Sequence, residues 1–252
     1  MMNNIIITGA NQGIGYYMTE KLLEEGNNVA VLDIETNNLT NLKKLYDNLI
    51  FYKVDLRDND ALKSSIDCIV ATLGTIDIAV HNACKCTFES EKETDLDTYK
   101  DVFDVNYFGA LRLVKNVIPY MVNQKKGRII FTSSGVGLTG FMNISPYSSS
   151  KGALEALAKC LRIEYANDNI SFHIMHPPLT KTKSASPLPV PDEFKASPKD
   201  VGYGLAKQIN SKKFIICHSF NQKIQTLCCY LIPLKIGDLL SKLTANYTKP
   251  RS

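Results

Sequence analysis

Seven short apolar runs, each separated from the next by a stretch with helical spacing, constrain this chain more than any other feature. The runs are "NIIIT" (4–8), "NNVAVLD" (27–33), "LIFYKVD" (49–55), "IDIAVHNA" (76–83), "GRIIFTSS" (127–134), "ISFHIMH" (170–176) and "KFIICHS" (213–219). Strands apolar at nearly every position are buried on both faces, which is the signature of a parallel sheet covered by helices. The intervening segments repeat apolar residues every three or four positions, as in Phe103, Tyr107, Ala110, Leu111 and Val114, or Ala153, Leu154, Leu157, Ala158 and Leu161. The alternation continues with no internal repeat. It predicts one α/β domain over residues 1–252, doubly wound, with a central parallel sheet of about seven strands and helices on both faces.

Two segments fall outside this rhythm. Six of the ten prolines lie between 177 and 198, so 177–200 is expected to be an irregular loop at the carboxyl end of a strand, placed as a substrate lid. The tail, 221–252, is apolar and helical. Its run from Leu227 to Leu234 is too short to span a bilayer, and Pro233 interrupts it. Beyond Pro233, residues Ile236, Leu239, Leu240 and Leu243 form one helical face. That face is expected to pack on the domain or a second subunit, or, on the sharper reading, to make a peripheral membrane contact.

Composition narrows the function classes. The net charge of +4 is spread without a Lys/Arg block, which argues against nucleic acid as a partner. The seven cysteines are odd in number and irregularly spaced, so a reducing cytoplasm is expected rather than a disulfide framework. Cys84-x-Cys86 and Cys228-Cys229 lack a second pair or histidines at metal-site spacing, and no metal is expected. The apolar run Ile5–Ile7 follows Met1 with no basic leader, so no signal peptide is expected either.

"TGANQGIG" follows the first strand immediately and puts glycines at 9, 13 and 15, with a helix expected from about Gly15 through Tyr17, Met18, Leu22 and Leu23. Strand, glycines and helix in that order suit a diphosphate held on backbone amides at a helix N-terminus. Asp33 ends the second strand, eighteen residues after Gly15, where a carboxylate can hold the two hydroxyls of an adenosine ribose. A carboxylate there repels a 2′-phosphate, and the glycine loop has no Arg or Lys to compensate. NAD(H) is therefore expected over NADP(H).

"SPYSSSKG" (145–152) has a linker's composition, yet Tyr147 and Lys151 stand at i and i+4 on one helix face. A phenol with an ordinary pKa near 10 is a poor base at neutrality, and an ammonium one turn away is expected to lower it. Ser134, thirteen residues earlier at a strand end, can hydrogen-bond the same substrate oxygen. Ser145 and Pro146 suit a helix cap and first turn.

Taken together, the glycine loop, "HNAC" (81–84), Ser134 and Tyr-x-x-x-Lys resemble the short-chain dehydrogenase/reductase family, with the motifs in order from residue 4 to about 182. The resemblance implies a Rossmann fold and an oxidoreductase interconverting a secondary alcohol and a ketone. Tyr147 would be the acid/base, Lys151 would also contact the nicotinamide ribose, and Asn106 in "DVNYFG" would support a water relay behind the lysine. By the same resemblance the cofactor would lie along Gly9, Asn11, Gln12, Gly13, Ile14 and Gly15, then Asp33, Asp55, Leu56, Asn82 and Ala83, then Tyr147, Lys151, Pro177, Leu179 and Thr182, with Asp55 at the adenine. It further implies a homodimer or homotetramer built through the helices after the fourth and fifth strands.

Two departures stand out. Cys84 replaces the glycine of the family's Asn-Asn-Ala-Gly, which narrows the backbone there. Pro178 replaces the glycine of its Pro-Gly, which stiffens the exit from the strand. A similar Pro-Pro occurs in family members acting on long-chain ketosphinganine, which points to a long-chain lipid ketone as the alternative substrate class. The competing function class is a catalytically idle dinucleotide-binding sensor or scaffold, which the retention of Tyr147 and Lys151 disfavours.

Overall fold

The structure is a computed structural model that describes residues 2–248. Its elements run β1 (Asn4–Thr8), α1 (Gly13–Glu24), β2 (Asn28–Asp33), α2 (Asn37–Lys43), β3 (Leu49–Lys53), α3 (Asn59–Leu73), β4 (Ile78–His81) and α4 (Leu96–Phe103). A π-helical turn (Asp104–Phe108) joins α4 to α5 (Gly109–Gln124). After these come β5 (Gly127–Thr132), α6 (Val136–Thr139), α7 (Ser145–Glu164), β6 (Ile170–Met175), α8 (Pro198–Ala206), β7 (Ile215–Ile216), α9 (Phe220–Leu231) and α10 (Pro233–Thr248).

The seven strands form one sheet in the order β3-β2-β1-β4-β5-β6-β7, and every pairing is parallel. Alternate side chains point to opposite faces, and both faces are covered. Ile6, Ala30, Ala79, Ile129 and Phe131 face α3, α5 and α7, while Ile5, Ile7, Val29, Val31 and Val80 face α1, α2 and α8. Strands apolar at every position are what this two-sided burial requires. The chain leaves β1 toward β2 on one side and β4 on the other, which opens a crevice at the carboxyl ends of β1 and β4.

Several local expectations are corrected. Helix α1 begins at Gly13, one half-turn before Gly15. The last strand shrinks to two residues because Ser219 already caps α9, its side chain accepting from the Gln222 amide. The proline-rich loop is partly built, with two 3₁₀ turns (Lys183–Ala185 and Asp192–Phe194) and a bridge between Thr180 and Ala196. In α10 the expected apolar face is divided, with Ile236 and Leu240 half-buried. Gly237 packs on the Thr139 and Gly140 carbonyls and Thr244 is buried, while Leu239 and Leu243 are each 52% exposed. A glycine lets the helix backbone approach closely at that contact.

Candidate active site

The glycine loop is fixed by contacts that leave no room for side chains. Gly9 has φ +67°, and a Cβ there would lie 2.4 Å from the Ala83 Cα. A Cβ at Gly15 would lie 2.5 Å from the Gly9 carbonyl oxygen and 2.6 Å from the Asn82 Nδ2. Asn82 secures this approach by donating from Nδ2 to the Gly9 carbonyl at 2.7 Å. The N-cap residue of α1, Gln12, is exposed and makes no side-chain capping bond. The first-turn amides therefore face the crevice beside half-buried Gly13 and Ile14, an arrangement suited to a diphosphate. Gly13, with φ +64°, would aim a Cβ at the Thr182 methyl 3.1 Å away, so the loop after β6 closes directly over the glycine loop.

At the adenosine end, the Asp33 carboxylate accepts from the Asn11 amide (2.8 Å) and the Glu35 amide (3.0 Å). Asn11 is buried and its polar atoms bond Asp33, Asn37 and Asn38, so it braces Asp33. The Asp55 carboxylate is gripped by Arg57 through Nε and Nη2 at 2.7–3.1 Å, and that guanidinium, against the cost of burial, holds the carboxyl below its usual value. Leu56 lies buried under Gly109 at the start of α5. Lys183 of the loop after β6 reaches within 3.6 Å of Glu35, beyond β2. Leu179 is 37% exposed, and Pro177 begins the proline-rich loop just after β6.

The catalytic candidates converge from β5 and α7. Ser134 stands close enough to the Tyr147 phenol to stabilise its ionised form. The Lys151 ammonium, 1% exposed, donates to the Thr132 carbonyl at 2.7 Å and sits 5.6 Å from the Tyr147 ring centre. The sequence led us to expect a lowered phenol. In the fold, burial pushes Tyr147 well above its ordinary value, the nearby Cys84 and Cys86 thiols add to this, and Ser134 pulls it back. Burial likewise lowers Lys151, against those same thiols. Desolvation dominates because both charged forms lose water together. The site thus favours a neutral phenol, the form that can donate a proton to a carbonyl oxygen. Cys84 stands in the site where the family has glycine, and burial pushes the Cys86 thiol up to about 12. Ser145 does not cap α7; its hydroxyl bonds Tyr99 at 2.7 Å, and Pro146 occupies the first turn.

Asn106 lies in the π-helical turn and is fully buried. Its side chain bonds both backbone groups of Lys85 and the Ser150 hydroxyl. A π-turn re-aims one residue out of helical register, and it is common at functional sites. The Asn106 carbonyl is met by His81 Nε2 at 3.1 Å. A carbonyl only accepts, so Nε2 carries the proton and Nδ1 accepts from the Thr8 hydroxyl at 3.2 Å. Thr8 in turn accepts from the Asn82 and Ala83 amides. Burial and the charge of Lys151 push His81 down to about 3, so the ring is neutral.

Thr8 and His81 were not singled out by the sequence as functional, nor was a second buried cluster one turn beyond Lys151. Glu155, 3% exposed, accepts from the Tyr230 hydroxyl of α9 at 2.7 Å, and His176 Nε2 lies 3.0 Å from its other oxygen. Burial alone would raise the Glu155 carboxyl, but His176, Tyr230 and Ser133 hold it below the usual value. The available signal was spacing: Glu155 continues the i+4 series of Tyr147 and Lys151.

Residues 3–190 match the model described as short chain dehydrogenase. An uncharacterized oxidoreductase of Mycobacterium bovis is 30% identical over 210 residues, 80% of this chain, and the chain spans 62% of that relative's length. A short-chain dehydrogenase from Streptomyces avermitilis superposes with a TM-score of 0.80 at 20% identity, over 99% of this chain and 100% of the other. A 3-ketoacyl-(acyl-carrier-protein) reductase from Brucella melitensis, complexed with NADH, superposes at 0.78 with 18% identity, over 86% and 94%. On the extent of the family match and on the fold that carries the site, the chain belongs to the short-chain dehydrogenase family.

Proposed function

We propose that the protein is a nicotinamide-dependent oxidoreductase that interconverts a secondary alcohol and a ketone, with Tyr147 as acid/base. The observation that carries this reading is the buried Lys151 ammonium, anchored on the Thr132 carbonyl 5.6 Å from the Tyr147 ring centre with Ser134 near the phenol, next to a glycine loop whose helix amides lack a side-chain cap. The bound dinucleotide would supply or accept a hydride at the substrate carbon. The chain's own residues do the rest. Ser134 and Tyr147 hold the substrate oxygen between two hydroxyl donors, and Tyr147 gives up or takes a proton there. Lys151 keeps a positive charge beneath the phenol and has ammonium hydrogens beyond the one given to Thr132 for a ribose hydroxyl. Asn106 and His81 fix the wall behind Lys151 through a closed set of hydrogen bonds.

The preferred cofactor on these residues is NAD(H). Asp33 has lone pairs free beyond its two amide bonds, its neighbours Ile34 and Glu35 carry no cation, and the ammonium that reaches this end, Lys183, is paired with Glu35. Solved neighbours hold NADH, NADP or NAD+, which supports a nicotinamide dinucleotide in general. A long-chain lipid ketone is the alternative substrate class, in keeping with the apolar α9 and α10 packed on α6, directly after Ser134. Association into homodimers or homotetramers would use the helices after β4 and β5, whose Leu96, Phe108, Val122 and Ile163 are exposed.

The test is a panel of ketones, short polar through long-chain, followed at the NADH absorbance with wild type and Tyr147→Phe. Turnover should fall by about 10²–10⁴ in the variant with NADH affinity nearly unchanged. Activity within a few-fold of wild type removes Tyr147 from the role, and a tenfold preference for NADPH removes the cofactor assignment.

A further inference from the structure

Helix α9 is built inside out for a helix facing water. Its buried face carries Gln222, Thr226 and Cys229, together with the Tyr230 hydroxyl that reaches Glu155. Its outward face carries Phe220, Ile224, Leu227 and Leu231, exposed by 73, 48, 55 and 69%. At 3.6 residues per turn, these four fall within an arc of about 60°. The stripe continues round the corner into Ile232 and Leu234, and Leu239 and Leu243 of α10 are exposed as well. Of the eighteen exposed large apolar side chains among the described residues, eight lie between 220 and 243. Single exposed leucines need no explanation, but a continuous stripe opposite a polar buried face does.

The surrounding charge identifies what covers the stripe. Lys223, Lys235 and Lys242 are exposed beside it, against a single carboxylate, Asp238, across the same two helices. No helix among the described residues is long and apolar enough to cross a membrane, and α9 and α10 meet at a bend of 114°. Two short helices meeting at such a bend, with an apolar stripe and lysines alongside, fit the interface of a bilayer, apolar side chains in the acyl boundary and ammonium groups at the phosphates. We infer that the α9–α10 corner docks the protein onto an anionic lipid surface. A polypeptide partner or a second copy would need a complementary acidic rim, whereas anionic headgroups supply that charge wherever the corner lands. Both helices rest on α6, where Gly135 and Gly237 mark the close contacts with Cys229 and Thr139. Docking would therefore hold the segment after Ser134 close to the lipid.

The experiment is flotation of the full chain with vesicles of phosphatidylcholine, with and without phosphatidylglycerol. The protein should float with the anionic vesicles and remain below with the neutral ones. Ile224→Gln combined with Leu227→Gln should weaken partitioning at least about tenfold. Each of Lys223→Gln, Lys235→Gln and Lys242→Gln should cost about fivefold at low salt and less at high salt. These side chains are exposed, so an unchanged melting temperature serves as the folding control. Absence from the anionic vesicles overturns the inference. So does a lipid-free dimer on gel filtration that Ile224→Gln with Leu227→Gln converts to monomer, since the stripe would then be an interface between copies.

Discussion

Tyr230→Phe removes a single hydroxyl, and the structure specifies what that hydroxyl does. It donates at 2.7 Å to Glu155, a carboxylate 3% exposed on the helix that also carries Tyr147 and Lys151. Burial and the adjacent carboxylate push the Tyr230 phenol well above its ordinary value, so it remains a donor throughout the workable pH range. A hydrogen bond to a buried charged group contributes about 1.5–3 kcal/mol. At about 2–4 °C per kcal/mol for a chain of this size, the melting temperature should fall by about 3–12 °C. Circular dichroism melts measure this, and hydrogen exchange should show faster opening of residues 220–231. The pH dependence supplies a second check. Glu155 sits below its unfolded value near 4.5, so its contribution is full above that pH and is lost as pH falls through the lowered folded value. The gap between wild type and variant should accordingly narrow in acid. A shift below about 1 °C at neutral pH would refute the reasoning, because the bond would then be no better than its replacement by water.

Other outcomes follow from neighbouring groups. Thr8→Val, nearly isosteric, strips the acceptor from two half-buried amides and the donor from buried His81, and should cost about 1–3 kcal/mol; a chemical denaturation midpoint unchanged from wild type would contradict the network. Because burial holds His81 at about 3 against an ordinary 6.5, the unfolded chain binds a proton between those values that the folded chain does not. Stability should rise with pH across that window by up to about 1.4 kcal/mol per unit, and His81→Gln should flatten the slope in urea titrations. Asp33→Asn keeps the shape of the turn but weakens its hold on a ribose and its repulsion of a phosphate, so the NADH-to-NADPH ratio of kcat/KM should drop about tenfold; an unchanged ratio places the discrimination elsewhere.

The chain's own residues determined the sheet, the positions of its seven strands and the order strand, glycine loop, helix, because these depend on periodicity and on where a side chain cannot fit. Gly9 and Gly15 were legible as glycines of a tight turn, and the structure adds the neighbours that exclude a Cβ, Ala83 and the Gly9 carbonyl. Tyr147 and Lys151 were legible because four residues on a helix is a fixed distance. What sequence spacing could not supply was the sign of an environment. Lysine beside tyrosine predicts a lowered phenol, yet burial reverses it, and burial brings in residues distant in the chain such as Cys84 and Cys86. The same holds for the Thr8–His81–Asn106 chain and for Glu155 with His176 and Tyr230, which meet only once β1, β4, β6, α7 and α9 are packed. Which apolar residues of the tail turn inward was likewise decided in three dimensions: Gly237 lets α10 approach Thr139, Ile236 and Leu240 are half-buried, and Leu239 and Leu243 stay outside.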